Sequence, residues 1–286
     1  MYARAKINLA LNILEKRKDN YHEIETIMHS LAFYDAINIK KVNKDDYGIK
    51  IVSNALWLPT DSRNLVYQAA DYLINRFDIK TGIFIDIKKN IPSSAGLAGG
   101  SSDCAATLIG IRNLFELPIQ NSELIKIGVK FGADVPFCIF RGCALAKGIG
   151  EKLNRIPSLP YVHIALITPP VLCSTKEIFS KFSKTKNSSD IEKLIFYINK
   201  KDIFGICKNL GNDLEDITIK KAPLILKIKN FLDKNGALKS LMTGSGPTVF
   251  AIFKDGKKAR ECIELFKKNK EFKNIKDIFL TRPFSL

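Results

Sequence analysis

Four short stretches carry the residue types that chemistry needs. Near the start, Lys6 and Asn8 stand two residues apart in the apolar run A-R-A-K-I-N-L-A-L-N-I-L, residues 3–14. P-S-S-A-G-L-A-G-G-S-S fills residues 92–102, G-A-D-V-P-F residues 132–137 and T-G-S-G-P-T-V-F residues 243–250. In the second stretch, glycines permit positive φ and a close approach of backbone to ligand. A helix begins near Ser101, Ser102 and Asp103, and its first N–H groups lack partners at the positive end of the helix dipole. That combination suits an anion, most simply a phosphate. No Gly-Lys-Ser/Thr follows and the spacing is not G-x-G-x-x-G, so neither the Walker loop nor the dinucleotide fingerprint applies. The plainer alternative is a flexible connector with a serine cap.

Asp134 follows one helix and precedes Pro136. It either shapes a turn and caps the next helix, or stands beside a reacting hydroxyl and takes its proton as the oxygen attacks phosphorus. Residues 243–250 are either a tight hairpin turn or a wall of the active site supplied by a second lobe.

These groups need elements to hold them. In residues 3–14, Ala3, Ala5, Ile7, Leu9, Leu11 and Ile13 share one strand face, while Arg4, Lys6, Asn8, Ala10 and Asn12 share the other. The polar face is either wet or aimed at something. Residues 23–42 and 47–54 read as further strands. Asp61 or Ser62 caps a helix over residues 64–76, and Ile83, Ile85 and Ile87 alternate in another strand. Residues 104–117 are helical by spacing. Ser122 caps a helix that runs to about Gly132. Residues 143–156 suit strand-turn-strand. After residues 150–160 the texture changes. A buried strand ends at Pro169, and residues 174–236 are mostly amphipathic helix, interrupted at 184–190. A strand, glycine loop and strand follow, then a helix over 256–269 and a last strand. Strands and helices mix without strict βαβ alternation, which favours α+β with two lobes, residues 1–155 and 156–286.

The bulk composition narrows the function classes. The chain has 286 residues and a net charge of +16, and its lysines are spread so evenly that most read as solvated surface. Such a balance helps to attract a polyphosphate. An RNA-binding protein is the rival from another class, but the charge is diffuse and aromatic-basic recognition motifs are missing. The six cysteines form no C-x-x-C pair and sit in apolar surroundings; they read as buried small hydrophobes of a reduced, cytoplasmic protein. The three histidines argue against a histidine-rich metal centre. The basic, then apolar first fifteen residues lack a small-residue cleavage site, so no signal peptide is expected, and no run approaches the ~18 apolar residues of a membrane span.

In order, the motifs resemble those of the galactokinase, homoserine kinase, mevalonate kinase and phosphomevalonate kinase (GHMP) superfamily. Within it they are most similar to the family of 4-diphosphocytidyl-2-C-methyl-D-erythritol kinases. That resemblance spans essentially the whole chain. It implies a two-lobe α+β fold, with an N-terminal lobe like ribosomal protein S5 and a ferredoxin-like C-terminal lobe. It also implies ATP and Mg2+ as cofactors, a substrate carrying a cytidine diphosphate group, and phosphorylation of a tertiary hydroxyl in the non-mevalonate isoprenoid pathway. A kinase for homoserine or a mevalonate derivative is the nearest rival. By the resemblance, Lys6 and Asp134 are the catalytic pair, Lys6 keeping Asp134 ionised. Asn8 orients the substrate, Tyr21 and His22 bind cytosine, and Phe179 is a second aromatic near the base. The nucleotide is held by Pro92, Ser93, Ser94, Ala95, Gly96, Leu97, Ala98, Gly99, Gly100, Ser101 and Ser102. No dedicated metal cage is implied, Ser102 being one candidate ligand. No nucleic acid or membrane partner is expected, and the chain is a monomer or homodimer. Three departures stand out: Asn20 replaces a usual glycine, in a turn whose left-handed geometry asparagine tolerates. Ser94 and Ala98 replace common glycines, and Cys104 an alanine.

Overall fold

The computed structural model describes residues 1–43, 48–182 and 188–286. Tyr47, at the head of an expected strand, and residues 184–187 of the expected helix interruption lie outside the described residues. In chain order the elements are β1 (Tyr2–Lys16), β2 (His22–Val42), β3 (Ile49–Ser53), α1 (Leu65–Arg76), β4 (Gly82–Lys88), α2 (Gly99–Leu114), α3 (Asn121–Gly128), α4 (Val135–Phe140), β5 (Cys143–Gly148), β6 (Lys152–Arg155) and β7 (His163–Thr168). There follow α5 (Thr175–Ser180), α6 (Ile191–Asn199), α7 (Ile203–Lys208), β8 (Gly211–Asn212), α8 (Glu215–Lys221), α9 (Leu224–Lys234), β9 (Lys239–Met242), β10 (Val249–Phe253), α10 (Gly256–Lys268) and β11 (Asp277–Thr281). The chain forms two compact units. The first comprises Met1–Ala5, Phe33–Ser93 and Ala98–Arg141; the second comprises Lys6–Ala32, Ser94–Leu97 and Gly142–Leu286.

In the first unit, β3 runs parallel to β4, and β4 runs antiparallel to the second half of β2, from Ala36 opposite Lys88 to Val42 opposite Gly82. The alternation read in β4 is real: Ile83, Ile85 and Ile87 are fully buried, with Leu73 of α1, Leu108 of α2 and Val135 of α4 in the same core. Three helix starts differ from expectation. Asn64 caps α1, its side chain accepting from the Val66 N–H. Asp61 is occupied instead by the Arg63 amide and guanidinium, and so shapes the turn before the helix. Gln120, not Ser122, precedes α3, because its carbonyl already accepts from Leu124, and that helix ends at Gly128. α2 begins at Gly99, because the Ala98 carbonyl accepts from Ser102. Residues 99–102 are therefore the first turn of the helix rather than loop.

In the second unit, the first half of β2 pairs antiparallel with β5, which folds back on β6. β1 lies between β2 and β8, parallel to the latter. A separate antiparallel sheet has the order β11-β7-β10-β9. Its core joins Ile167, Val249 and Phe253 to Ile228 and Leu232 of α9 and Phe266 of α10. All six cysteines are buried and free. Among the described residues no helix is long and apolar enough to cross a membrane.

Candidate active site

The polar face of β1 is not wet. Lys6 is 4% exposed and Asn8 3%, so each polar atom there needs a partner. The Lys6 ammonium donates to Asn8 Oδ1 at 2.8 Å. The Asn8 amide Nδ2 donates to Thr26 Oγ1 at 2.9 Å, and the Asn8 backbone N–H donates to Thr243 Oγ1 at 3.0 Å. The Thr243 hydroxyl returns a bond to Asn8 Oδ1 at 3.3 Å. Asn8 thus fixes the lysine head by spending its own amide on protein groups. Asn12, next on that face, exchanges two bonds with the Ser189 backbone and is structural.

Residues 94–97 lie on this network. The Lys6 N–H donates to the Leu97 carbonyl, and the Thr248 N–H to that of Ala95. Gly96 has φ +75°, and a methyl there would stand 2.4 Å from the Thr243 carbonyl oxygen. Gly244 faces Gly96 in turn, with φ +58°. Only glycine allows two backbones to close in this way. Asn212 of β8 anchors the second loop, donating to the carbonyls of Met242 and Gly244 at 2.8 Å each. Residues 243–248 therefore form more than a tight hairpin turn, being tied to β1, to residues 94–97 and to β8. Ser94 and Ala98, which replace common glycines, both take positive φ, +51° and +59°.

Within the first unit, α2 opens without a side-chain cap, so the N–H groups of Gly99, Gly100 and Ser101, ahead of the Ser102 bond to Ala98, have no intrahelical acceptor. The Ser102 hydroxyl donates to the Gly99 carbonyl at 2.8 Å. Asp134 occupies the position before α4, yet its carboxylate makes no capping bond. The buried Val135, Pro136 and Phe137 that follow set it firmly at the helix start. A methyl on Gly132 would lie 3.9 Å from Ser101 Oγ, which places the aspartate turn beside the first turn of α2.

Beneath that turn sits a buried ion cluster. Lys89 pairs with Asp35 and, at 2.6 Å, with Asp103. Asp35 Oδ1 also accepts the N–H groups of Asn90 and Ile91. Burial pushes the Asp103 carboxyl up to about 7, Lys89 pulling against it and Asp35 adding to it. Burial also works against the Lys89 charge, but its two carboxylates outweigh that and hold its pKa above the usual range.

A third cluster is aromatic. Asn20 takes the left-handed turn expected of it, with φ +67°, and Arg17 braces the turn through Asp19 and Glu23. Tyr21 is exposed. The His22 ring lies 5.6 Å from Phe179 and 6.2 Å from Phe182. Partial burial, and then Lys16, hold the imidazole below its usual pKa, so it is neutral at pH 7.

Residues 64–142 match the family model of the GHMP kinases N terminal domain, and residues 196–271 that of GHMP kinases C terminal. The chain is 42% identical over 285 residues to the 4-diphosphocytidyl-2-C-methyl-D-erythritol kinase of Lachnospira eligens, covering 99% of this chain and 97% of that one. It is 44% identical over 284 residues to the enzyme of that name from Caldicellulosiruptor bescii, covering 98% and 96%. It belongs to the 4-diphosphocytidyl-2-C-methyl-D-erythritol kinase family. A crystal structure of 4-(cytidine 5'-diphospho)-2C-methyl-D-erythritol kinase superposes with a TM-score of 0.84 at 24% identity, over 100% of this chain and 99% of that one, so the fold is that of the GHMP kinases.

In this GHMP kinase the structure gathers Lys6, Asn8 and Ala95–Leu97 in one hydrogen-bonded network, and His22 with Phe179 in an aromatic cluster. Sequence reasoning missed Thr26, Asn212, Phe182 and the Asp35–Lys89 pair. Each is a common residue type in a segment that reads as ordinary strand or helix.

Proposed function

We propose that this protein transfers the γ-phosphoryl group of ATP to the 2-hydroxyl of 4-diphosphocytidyl-2-C-methyl-D-erythritol. The observation that carries this reading is the buried lysine network of β1, tied by Asn8 and Thr243 to a glycine loop that runs into an uncapped helix N-terminus. A buried ammonium and open backbone amides are what a transferring phosphoryl group requires.

The first-turn amides of α2 fit a triphosphate, and residues 92–102 would hold it. Mg2+ would arrive on that triphosphate, neutralising its charge. Among the described residues no three His, Cys, Asp or Glu side chains are grouped to hold a metal ion, and Ser102 already donates its hydroxyl proton to Gly99. In the reaction Asp134 takes the proton of the attacking hydroxyl, a P–O bond forms at that oxygen, and the bond to the departing ADP breaks. Lys6 stabilises the negative charge on the transferred group, and Asn8 holds Lys6 in place. Tyr21, neutral His22, Phe179 and Phe182 would receive cytosine by stacking and by a hydrogen bond to its edge.

ATP consumption with the purified cytidyl substrate tests the reading. Asp134→Asn and Lys6→Met should each lower turnover by at least ~100-fold. Near-normal turnover in either variant removes that residue from its role, and no turnover in the wild type removes the substrate.

A further inference from the structure

The ion cluster under α2 has no part in the chemistry above, yet it occupies the two ends of the loop. The chain enters the loop at Asn90 and Ile91, whose N–H groups both donate to Asp35 Oδ1, at 2.5 and 2.8 Å. It leaves through α2, where Asp103 stands one turn in from the helix start. A single ammonium, that of Lys89, joins the two carboxylates. The Lys89 side chain is 6% exposed, that of Asp103 3%, and that of Asp35 is fully buried. A methyl on Gly99 would lie 3.5 Å from the Lys89 ammonium and 3.1 Å from Ile91 Cγ2, so Lys89 lies directly beneath the first residue of α2.

Stability alone does not explain this arrangement. Two carboxylates share one cation, and Asp103 Oδ1 is buried with no hydrogen-bond partner. A buried ion cluster of this kind is often matched or bettered by packed apolar residues, and an unpaired buried oxygen costs stability outright. What the cluster does supply is geometry. It sets the distance between the end of β4 and the start of α2, and with it the span over which residues 92–102 must arch. A phosphate cradle of backbone amides depends on that span, because its donors have no side-chain freedom with which to adjust.

We infer that Lys89 is a positioning residue for the nucleotide: by holding Asp35 and Asp103 together it staples the entrance of the phosphate loop to its exit and fixes the amide cradle. The inference rests on the reading of residues 92–102 as the nucleotide site. It assigns to Lys89, Asp35 and Asp103 no contact with the transferred phosphoryl group.

The test uses the full chain and three readouts: equilibrium binding of Mg2+ with adenylyl imidodiphosphate, the KM values of both substrates, and the urea midpoint. The variants are Asp103→Asn, which keeps shape and removes charge, and Asp35→Asn/Lys89→Met/Asp103→Leu, which removes all three ions together and so leaves no unpaired buried charge where Lys89→Met alone would. The triple variant should bind the analogue roughly 10-fold or more weakly, with its urea midpoint unchanged or raised and its KM for the cytidyl substrate within about twofold. Asp103→Asn should move in the same direction, by less. Wild-type affinity in the folded triple variant overturns the staple and leaves the nucleotide site standing. So does a loss of binding that only tracks a lowered urea midpoint. A wild-type protein that does not bind the analogue overturns the site itself, and the staple with it.

Discussion

Acidification should destabilise this protein through one histidine. His29 is fully buried in β2. Its Nε2 accepts the Leu159 N–H at 3.1 Å, which leaves Nδ1 protonated and donating to the Ser30 carbonyl at 2.7 Å. The neutral ring is therefore satisfied at both nitrogens, and a second proton must displace Leu159. Burial pushes the imidazole down to about 4, the Ser30 bond opposing it. The unfolded chain takes up its proton near the usual 6.5. Stability is thus complete above pH 6.5, falls as the pH drops toward 4, and falls no further below that. A shift of this size is worth about 3 kcal/mol in all, of which about 2 kcal/mol is lost between pH 7 and pH 5. Urea unfolding of the wild type and His29→Gln at both pH values isolates the effect, because carboxylates elsewhere act equally on both proteins. The wild type should lose about 2 kcal/mol more than the variant. With only three histidines in the chain, the His29 ring can also be followed directly by NMR. A ring that titrates near 6.5, or parallel losses in the two proteins, refutes the argument.

Gly96→Ala drives a methyl to 2.4 Å from the Thr243 carbonyl at a positive φ; it should cost about 2 to 3 kcal/mol in urea unfolding and lower kcat/KM for ATP by at least ~10-fold. Unchanged kinetics would place residues 94–97 away from the nucleotide. His22→Ala, which removes both ring contacts of the aromatic cluster, and Phe182→Ala, which removes one, should raise KM for the cytidyl substrate several-fold and leave ATP affinity alone; the reverse would count against the cytosine assignment. Asn64→Ala removes the cap on Val66 and the bond to the Pro59 carbonyl, and should lower stability by about 1 to 2 kcal/mol without changing either KM.

What was legible in the sequence follows from what forces a residue type. Glycines at 96 and 244 announce themselves because no other residue permits two backbones to touch. The positive φ at Ser94 and Ala98 gives no such signal, since both residues also fit ordinary loops. The alternation in β4 was readable because one covered face repeats every second residue. In β1 the same period was present but underdetermined: Lys6, Asn8 and Asn12 are all buried, and period alone does not say what covers a polar face. The cover comes from far along the chain, 235 residues away for Thr243 and 177 for Ser189. Asp35 and Lys89, 54 residues apart, were hidden for a related reason, as one strand aspartate and one lysine in a chain with 45 basic residues. The order of motifs was therefore more informative than any single motif. A buried polar group must be paired, so a lysine-asparagine strand and a distant T-G-S-G loop that partner each other have to be retained together or lost together.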